Sequence, residues 1–475
     1  MATAAETVEV VAAAFPAGTI LLDQEDIAPH LTDWRGQKTG VAHALALPRS
    51  TAEVQALVRA ALAEGIALVP QGGNTGLVGG SVPEPVALRP TILVSMRRMN
   101  RIRSIDPAGL SLVAEAGVVL EKIHAAAADA GTAFPLSLGA KGSATIGGLV
   151  STNAGGTQVL RHGTMRSLVL GLEAVLPDGT VLDQLLPLRK DTAGYDVKQL
   201  LIGAEGTLGI VTAAALRLVP APAASAVAWA AVPDAEAALA LLQRIRARVG
   251  ERVESFELVP EDGLCLVIEH IPGTRRPVAA AGPFHCLVEL VDADAGAPLS
   301  GMLQDALAAA IAEGLVADAT IAGSLEQARA LWRLREELPE AERRDGPSLK
   351  NDIAVPVADL PSFHAAAEAA FERAFPGARP LVFGHVGDGN LHWNLRAPEG
   401  ADPAAWLAAN GAAARSLLHD LVKSAAGTIS AEHGIGTTKA AELARTGDPG
   451  RLAAMRAIKY ALDPAGIMNP GKIFA

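Results

Sequence analysis

Residues 70–81 read PQGGNTGLVGGS and directly follow Ile66–Val69, a short apolar run typical of a β-strand. Because glycine has no side chain, a loop this rich in glycine lets backbone N–H groups approach a phosphate closely. The spacing is neither G-x-G-x-x-G nor the P-loop pattern, which argues against a Rossmann nucleotide site and an ATPase. Taken alone, the loop is a candidate pyrophosphate cradle, and the alternative is a purely structural turn.

Two further glycine-rich stretches follow in the same part of the chain. Residues 137–156 read SLGAKGSATIGGLVSTNAGG, and residues 203–210 read GAEGTLGI. Both carry small hydroxyls and amides among the glycines. Three such loops in one folded unit predict a lining for a long polar cofactor more strongly than any one loop does.

The surrounding sequence predicts an α+β fold. From Val41 to Pro220, short β-branched runs alternate with helical segments such as Thr51–Glu64. Residues 220–225 contain Pro220 and Pro222 and are the best linker candidate. Beyond them, amphipathic helices alternate with short strands, which predicts helices packed on an antiparallel sheet.

Composition bounds the function. The chain has 475 residues, enough for two or three cooperating units. With 40 Lys and Arg against 51 Asp and Glu, its formal charge is -11, and no basic tract is present. Capture of nucleic acid or of an acidic membrane surface is therefore not expected.

Cellular location is predicted from the termini, the apolar runs and the cysteines. The longest apolar stretch is too short and too rich in proline to span a bilayer, and no basic leader precedes Arg35. We expect a cytoplasmic protein without a membrane span. The two cysteines, Cys265 and Cys286, fit a reducing compartment and are predicted to be core residues.

A second constellation carries histidines and a carboxylate. Residues 385–394 read HVGDGNLHWN, and the Gly-Asp-Gly-Asn turn signal predicts that His385 and His392 sit on adjacent strands and converge. Residues 430–436 read SAEHGIG and add Glu432 and His433. Two histidines and Glu432 would make a three-ligand site for a divalent metal with open positions for substrate. The alternative is a set of hydrogen-bonded interior histidines.

These motifs resemble a known family. The stretches 71–76 (QGGNTG), 139–143 (GAKGS), 152–156 (TNAGG), 190–196 (KDTAGYD) and 203–209 (GAEGTLG) look like the FAD domain of the vanillyl-alcohol oxidase/PCMH flavoprotein superfamily. Within it, the sequence is most similar to the D-2-hydroxyglutarate dehydrogenase group, with D-lactate dehydrogenase and the glycolate oxidase FAD subunit as relatives. The likeness runs from about Leu47 to Lys472.

The resemblance implies an FAD site made of the glycine-rich loops. The residues that match it are Gly72, Gly73, Asn74, Thr75 and Gly76 at the pyrophosphate, Ser137, Gly139, Thr145, Gly148, Thr152, Asn153 and Ala154 beside the flavin and ribityl chain, Gly206, Gly209 and Ile210 at the adenine end, and Asn469 returning to the flavin. Asn74 stands where some members tether FAD through histidine, so non-covalent FAD is expected. His162 replaces a tyrosine of close relatives and is expected to pack or to form a hydrogen bond, and the alternative is an unusual covalent tether to FAD.

The resemblance also assigns the second constellation. His385, His392 and Glu432 match the metal ligands of the group, with Zn²⁺ as the expected ion, and His433 matches its proposed base. Arg335, Lys350 and Asn394 match the substrate anchors, although from composition alone Arg335 and Lys350 would be solvated surface charges. Pro339 stands where the family has a threonine, so one carboxylate contact is not expected.

The resulting expectation is a two-domain flavoenzyme. Its segments are an N-terminal helical segment (1–38), a PCMH-type FAD-binding domain (39–220), a substrate or cap domain with an antiparallel sheet flanked by helices (221–425) and a C-terminal segment that returns to the FAD domain (426–475). The expected reaction converts a D-2-hydroxy acid to the 2-oxo acid by hydride transfer to flavin N5. D-2-hydroxyglutarate is the favoured substrate.

Several alternatives stay open on the sequence. The substrate alternatives are D-lactate, D-malate and glycolate. The alternatives in function are a zinc hydrolase and a non-catalytic flavin subunit that relays electrons. The electron acceptor is expected to be an electron-transfer flavoprotein, a quinone or a cytochrome, and a homodimer is compatible with the sequence.

Overall fold

The structure is a computed structural model that describes residues 3–280 and 282–474. The chain folds into two compact units. The first comprises residues 1–156, 163–221 and 432–475, and the second comprises residues 157–162 and 222–431.

Helices and strands alternate along the chain. The helices are α1 (Ala4–Ala13), α2 (Gln24–Ile27), α3 (Thr51–Glu64), α4 (Leu120–Asp129), α5 (Ile146–Ser151), α6 (Val159–His162), α7 (Met165–Leu168), α8 (Lys198–Leu201), α9 (Ala235–Val249), α10 (Glu261–His270), α11 (Leu299–Ala312), α12 (Leu325–Glu336), α13 (Leu338–Asp345), α14 (Leu360–Ala374), α15 (Pro403–Ser424), α16 (Ala440–Thr446) and α17 (Pro449–Leu462). The strands are β1 (Ile20–Leu21), β2 (Ala44–Ala46), β3 (Ala67–Gln71), β4 (Thr91–Ser95), β5 (Ile102–Asp106), β6 (Ser111–Glu115), β7 (Thr132–Ala133), β8 (Val169–Val175), β9 (Val181–Gln184), β10 (Ile210–Arg217), β11 (Val219–Pro220), β12 (Ala224–Val232), β13 (Val253–Pro260), β14 (Phe284–Asp292), β15 (Asp318–Ile321), β16 (Ile353–Ala354), β17 (Arg379–His385) and β18 (Asn390–Arg396).

The first unit contains two larger sheets. One has the order β1-β2-β4-β3, in which β4 runs parallel to both β2 and β3. The other is antiparallel with the order β5-β6-β10-β8-β9. The first glycine-rich loop continues from the end of β3, which is the edge strand of this sheet. The pairing of β3 with β4 therefore fixes the position at which the loop leaves the sheet.

Helix α3 shows how local sequence builds the first sheet's cover. Ser50 caps it by accepting a hydrogen bond from the backbone N–H of Glu53, and Gly65 ends it at a φ of 66°. Val54, Leu57, Val58 and Ala61 share one face and are buried in the core cluster of the parallel sheet. Burial of each large apolar side chain contributes about 1.5–3 kcal/mol.

The second unit is built on one antiparallel sheet. Its order is β15-β12-β14-β13-β17-β18-β16, and helices α10 and α12 pack their apolar residues into its core. Strand β13 lies next to both β14 and β17, in the middle of the sheet. The predicted α+β class and the helices on an antiparallel sheet are confirmed.

Two expectations about local structure need correction. The N-terminal segment 1–38 was expected to be helical but also contains a strand, because Ile20 and Leu21 pair antiparallel with Ala46 and Leu45 and extend the first sheet. Of the two cysteines, only Cys286 is buried, whereas Cys265 is exposed on α10. Only one face of α10 is buried, and Cys265 lies on the other face, which is exposed to solvent.

A group of polar side chains lies across β13 and β14. Glu254 on β13 accepts hydrogen bonds from Gln158 (2.7 Å) and Arg161 (2.8 Å), and the His162 ring lies 3.3 Å away. Burial alone would raise the pKa of Glu254, but these partners hold its pKa below its usual range. Burial and the charge of Glu254 raise the pKa of Glu289, on the neighbouring strand, to about 7.

Glu289 makes stability depend on pH. Its carboxyl holds a proton more tightly in the folded chain than in the unfolded chain, so the contribution of Glu289 to stability is complete below pH 4.5 and is lost as the pH rises through about 7. We expect Glu289→Gln to be more stable than the wild type at about pH 8, by on the order of 1–3 kcal/mol, and to lose this pH dependence. Thermal melts across this pH range measure both effects. Glu326→Gln, at an exposed position of α12, is the control. An unchanged pH profile in Glu289→Gln would contradict the expectation.

Candidate active site

The loop after β3 leaves no room for a side chain at Gly72 or Gly73. A Cβ on Gly72 would lie 2.3 Å from Thr145 Oγ1, and a Cβ on Gly73 would lie 2.0 Å from the carbonyl oxygen of Ser143. At Gly76 a Cβ would have no described residue within 4 Å. The backbone of the loop therefore packs against the second glycine-rich stretch at Gly72 and Gly73 and has free space at Gly76.

Asn74 shapes the same loop. It adopts a φ of 56°, a left-handed conformation that asparagine tolerates better than most residues. Its side-chain amide donates to the carbonyl oxygen of Thr32 (2.8 Å) and accepts from the Ser81 hydroxyl (2.9 Å). Both ends of the Asn74 amide are thus used to hold the loop.

The second stretch turns into helix α5. Thr145 directly precedes this helix, and its hydroxyl oxygen is buried with no hydrogen-bond partner among the described residues. Thr152 donates to the carbonyl oxygen of Gly148 (2.9 Å), and Asn153, at a φ of 49°, accepts from the Arg166 N–H (2.9 Å). The unused hydroxyl of Thr145 is a free polar group beside the first loop.

Asn469 connects the C-terminal segment to two of these loops. Its side-chain amide donates to the carbonyl oxygens of Gly80 (2.9 Å) and Glu205 (2.7 Å), and its backbone N–H donates to Leu68. Its Oδ1 is buried and has no partner among the described residues. The side chain fixes three distant segments and still offers one acceptor.

All the predicted cofactor residues lie in the first unit. The remaining members are Thr75 in the first loop, Ser137, Gly139 and Ala154 in the second stretch, and Gly206, Gly209 and Ile210 where the chain enters β10. A buried polar atom without a partner is costly unless a ligand or water satisfies it. The partly exposed backbone of Gly72, Gly73 and Gly76, together with the free oxygens of Thr145 and Asn469, fits a phosphate- and hydroxyl-rich cofactor such as FAD.

The two predicted metal-binding histidines share one hairpin. His385 ends β17, His392 lies in β18, and the register pairs His385 with Asn390. The two rings are 6.0 Å apart between centroids, and one nitrogen of each lies within 4.8 Å of the other. The hairpin predicted from Gly-Asp-Gly-Asn brings these imidazoles together as expected.

A buried carboxylate that the sequence did not single out joins two predicted groups. Glu257 on β13 has no exposed surface. It accepts a hydrogen bond from His385 Nδ1 at 2.6 Å and another from Arg335 Nε at 2.9 Å. Burial by itself would raise the pKa of Glu257, but His385 and Arg335 outweigh it and hold the pKa below its usual range.

A second buried carboxylate holds the other two predicted anchors. Glu342 on α13 has no exposed surface and pairs with the Lys350 ammonium. It also accepts hydrogen bonds from Asn394 Nδ2 (2.8 Å) and from the Ser348 hydroxyl (2.6 Å). Arg335 and Asn394 are buried. Arg335, Lys350 and Asn394 are therefore partnered residues of the second unit rather than solvated surface charges.

Asp352 is a further acidic residue at this hairpin. It is 1% exposed, and its Oδ1 accepts from Asn390 Nδ2 at 3.0 Å. One carboxylate oxygen of Asp352 lies within 4.8 Å of a ring nitrogen of His392. The sequence analysis did not single out Asp352, which lies beside His392 because β16 pairs with β18 directly after it.

Glu432 and His433 begin the last segment of the first unit. Two residues further on, the N–H groups of Ile435 and Gly436 donate to the Glu205 carboxylate at 2.7 and 2.8 Å. Burial raises the pKa of Glu205, although these two N–H groups oppose the shift. A fixed backbone directly after His433 limits the positions that Glu432 and His433 can take.

The chain is also fixed shortly before Glu432. In the second unit, Thr428 and Ala354 exchange two backbone hydrogen bonds (2.8 and 3.1 Å). Ala354 pairs in turn with Asn390, at the start of the strand that carries His392. The segment that ends the second unit therefore leaves from this edge of the sheet.

The two departures from the family pattern have clear positions. His162 lies 3.3 Å from Glu254, which is consistent with the expected hydrogen-bonding role. Pro339 lies in the first turn of α13, where proline fits because the N–H groups there have no partner within the helix.

Two protein-family models match the chain. The FAD binding domain matches residues 42–184, and the C-terminal domain of FAD linked oxidases matches residues 221–473, more than half of the chain. The chain belongs to the FAD-linked oxidase family. It therefore has an FAD-binding domain, and the glycine-rich loops up to residue 156 lie inside it.

Known members of this family resemble the chain along nearly its whole length. It is 38% identical over 461 residues to the D-2-hydroxyglutarate dehydrogenase of Xanthomonas citri pv. viticola, which covers 97% of this chain and 95% of that protein. It is also 38% identical over 454 residues to the mitochondrial D-2-hydroxyglutarate dehydrogenase of Arabidopsis thaliana, covering 96% of this chain and 79% of that protein. The expected membership of this group is confirmed.

A solved structure shares the fold of this chain. The p-cresol methylhydroxylase structure with substrate bound has a TM-score of 0.74 and 15% identity, covering 98% of this chain and 96% of that chain. This confirms the PCMH-type fold. No helix in the part of the chain that the structure describes is both long and apolar enough to cross a membrane.

The contact between the first two loops is testable. In Gly73→Ala the new methyl group meets the backbone carbonyl of Ser143, which cannot rotate away, so the loop has to shift. We expect about tenfold or greater weakening of FAD binding, the equivalent of roughly 1–3 kcal/mol of strain. Flavin content per protein, read from visible absorbance, measures the effect. Gly301→Ala, where no described residue lies within 4 Å, should keep its flavin. Full flavin content in Gly73→Ala would show that the loop does not hold FAD.

Proposed function

We propose that this protein oxidises D-2-hydroxyglutarate to 2-oxoglutarate with FAD. The observation that carries the proposal is the 38% identity to a D-2-hydroxyglutarate dehydrogenase over 97% of this chain. Because that likeness includes both units, it covers the FAD-binding loops as well as the histidines, Arg335 and Lys350.

The three glycine-rich loops and Asn469 would hold FAD without a covalent bond. When bound, FAD would supply a two-electron acceptor for the hydride that leaves C2, with N5 as the proposed accepting atom. The first loop has no histidine, and Asn74 spends its amide on Thr32 and Ser81. These features support a non-covalent site.

His385, His392 and Glu432 are proposed to hold a divalent cation, with zinc the first candidate. Two imidazoles and one carboxylate are typical of catalytic zinc, which keeps a position open for substrate. When bound, the ion would supply positive charge that lowers the pKa of the 2-hydroxyl group. Two observations support the proposal. One ring nitrogen of His385 lies within 4.8 Å of one of His392, and Thr428, four residues before Glu432, is fixed by backbone hydrogen bonds to Ala354.

The remaining side chains would bind the substrate and take its proton. His433 is proposed to accept the proton of the 2-hydroxyl as C2 becomes a carbonyl carbon. Arg335 would bind the adjacent carboxylate, for which a planar guanidinium gives two parallel hydrogen bonds. Lys350 and Asn394, both held by Glu342, would complete the polar wall.

The other predicted properties form part of the same proposal. Electrons would pass from the flavin to an electron-transfer flavoprotein, a quinone or a cytochrome. A homodimer and a cytoplasmic location stay predictions, and the relatives named above include both a bacterial and a mitochondrial protein.

Substrate choice is measured with the oxidised flavoprotein under anaerobic conditions. We expect D-2-hydroxyglutarate to bleach the flavin fastest, with D-lactate, D-malate and glycolate as comparisons and a dye acceptor for steady-state rates. Equal rates on all four would exclude the specific assignment. A yellow protein that none of them bleaches would indicate an electron-relay subunit, and a colourless protein would favour a zinc hydrolase.

Metal removal separates the two cofactors. A chelator should abolish oxidation while the flavin stays bound, and Zn²⁺ or another divalent ion should restore activity, because the proposed ligands lie outside the FAD-binding loops. Metal analysis of the protein before and after treatment is the control. Full activity in a verified metal-free sample would refute the Lewis-acid role.

Arg335 should be sensitive to a conservative change. Arg335→Lys keeps the charge but loses the planar pair of donors, so kcat/KM is expected to fall by the equivalent of about 2 to 4 kcal/mol. Arg329→Lys, at an exposed position on the same helix, is the matched control. An unchanged kcat/KM in Arg335→Lys would remove this residue from the site.

A further inference from the structure

Glu257 occupies an unusual position for a charged residue. It lies on β13, inside the seven-stranded sheet, where its backbone pairs with that of His385 on β17 and that of Leu287 on β14. Its side chain is fully buried, and each of its two oxygens has one partner: Oε1 accepts from His385 Nδ1, and Oε2 accepts from Arg335 Nε. One carboxylate therefore joins a proposed metal ligand to a proposed substrate anchor.

Stability alone does not account for this carboxylate. Removing a charge from water costs several kcal/mol, and a buried ion pair is often no more stabilising than apolar side chains of similar size. Leu287, which pairs with Glu257 across the sheet, and Phe383, which lies beneath the Arg335 guanidinium, both belong to an apolar core cluster. The contacts of Glu257 with His385 and Arg335 are the feature that apolar packing would not reproduce.

The contact with His385 selects a tautomer. A carboxylate can only accept hydrogen bonds, so Nδ1 of His385 carries the proton and its N–H donates a hydrogen bond to Glu257. Nε2 is then the nitrogen with a lone pair for a cation. Carboxylates placed in this way orient a ligating imidazole and raise its basicity.

The contact with Arg335 selects one edge of the guanidinium. Nε is used by Glu257, and the group lies over the Phe383 ring at 5.0 Å from its centroid. Among the described residues, none accepts a hydrogen bond from Nη1 or Nη2 of Arg335. These two nitrogens form the edge that binds a carboxylate end-on.

We propose that Glu257 is a positioning residue that sets His385 and Arg335 at a fixed separation, matched to a substrate whose hydroxyl and carboxylate are on adjacent carbons. The inference rests on the proposed function, since it assigns His385 to the metal and Arg335 to the substrate carboxylate. It adds that the two are held by one side chain, so that a change at Glu257 alters metal binding and substrate binding together.

The test compares variants of the flavin-loaded protein. In Glu257→Gln the amide can accept from one partner but presents N–H to the other. We expect FAD to be retained, Zn²⁺ affinity of the metal-stripped protein to fall about 10- to 100-fold, and KM for D-2-hydroxyglutarate to rise. Zn²⁺ affinity is measured by competition with a chromophoric chelator, independently of turnover. Glu257→Asp keeps the charge on a shorter side chain and should show the same losses if Glu257→Gln does not fold.

Two other buried glutamates serve as matched variants. Glu254→Gln removes a buried carboxylate from the same strand, and its partners Gln158, Arg161 and His162 have no assigned part in the reaction. Zn²⁺ affinity should therefore stay unchanged even if the melting temperature falls. Glu342→Gln loosens Lys350 and Asn394 and should raise KM without changing Zn²⁺ affinity. This pattern separates positioning from a general loss of stability.

The outcomes distinguish the inference from the function on which it rests. If the wild type binds Zn²⁺ and oxidises D-2-hydroxyglutarate, but folded Glu257→Gln binds Zn²⁺ equally well, the inference is overturned and the proposed function stands. If Glu254→Gln loses Zn²⁺ as severely as Glu257→Gln, the effect is structural and the inference is again overturned. A wild type that neither binds Zn²⁺ nor bleaches with the substrate overturns the proposed function, and the positioning role with it.

Discussion

The pairing of β13 with β17 is the constraint on which the arrangement of the second unit depends. It places Glu257 beside His385, although the two are 128 residues apart in the sequence. Because Glu257 is buried there, its charge needs partners, and Arg335 and His385 supply them. The requirement to satisfy a single buried carboxylate thus determines the orientation of an imidazole and of a guanidinium. A sheet shifted by one residue would turn Glu257 to the opposite face and leave both partners without it.

The first unit depends on close packing between its glycine-rich loops. Its loops approach each other through backbone atoms, as the fit of Gly73 against Ser143 shows. Glycine-rich backbone packed in this way can offer N–H groups to a ligand. The buried side-chain oxygens of Thr145 and Asn469 have no hydrogen-bond partner among the described residues. The match of residues 42–184 to an FAD-binding domain gives these features a common explanation. The protein is an FAD-dependent dehydrogenase by family, and the proposed chemistry requires both units.

Local sequence was sufficient to predict much of this fold. Helix α3 has its cap, its apolar face and its terminal glycine within one short stretch, and it was predicted with its observed bounds. The hairpin of β17 and β18 was predicted from the turn between the histidines. Contacts between distant segments were not predictable in this way. Glu257, Glu342 and Asp352 carry no local signal, because their significance comes from strands and helices that meet only in the folded chain. Cys265 was misjudged for a related reason, since composition does not say which face of α10 points outward.

Six residues that interrupt the first unit have a practical consequence for dissecting the protein. Residues 157–162 belong to the second unit, where Gln158 and Arg161 bond to Glu254 and Thr157 accepts from the Ser255 hydroxyl. A polypeptide cut to residues 222–431 would keep the seven sheet strands but would bury Glu254 without these donors. The boundary between the units is therefore a poor place to divide the gene, and recombination with related enzymes should exchange residues 157–162 together with the larger fragment.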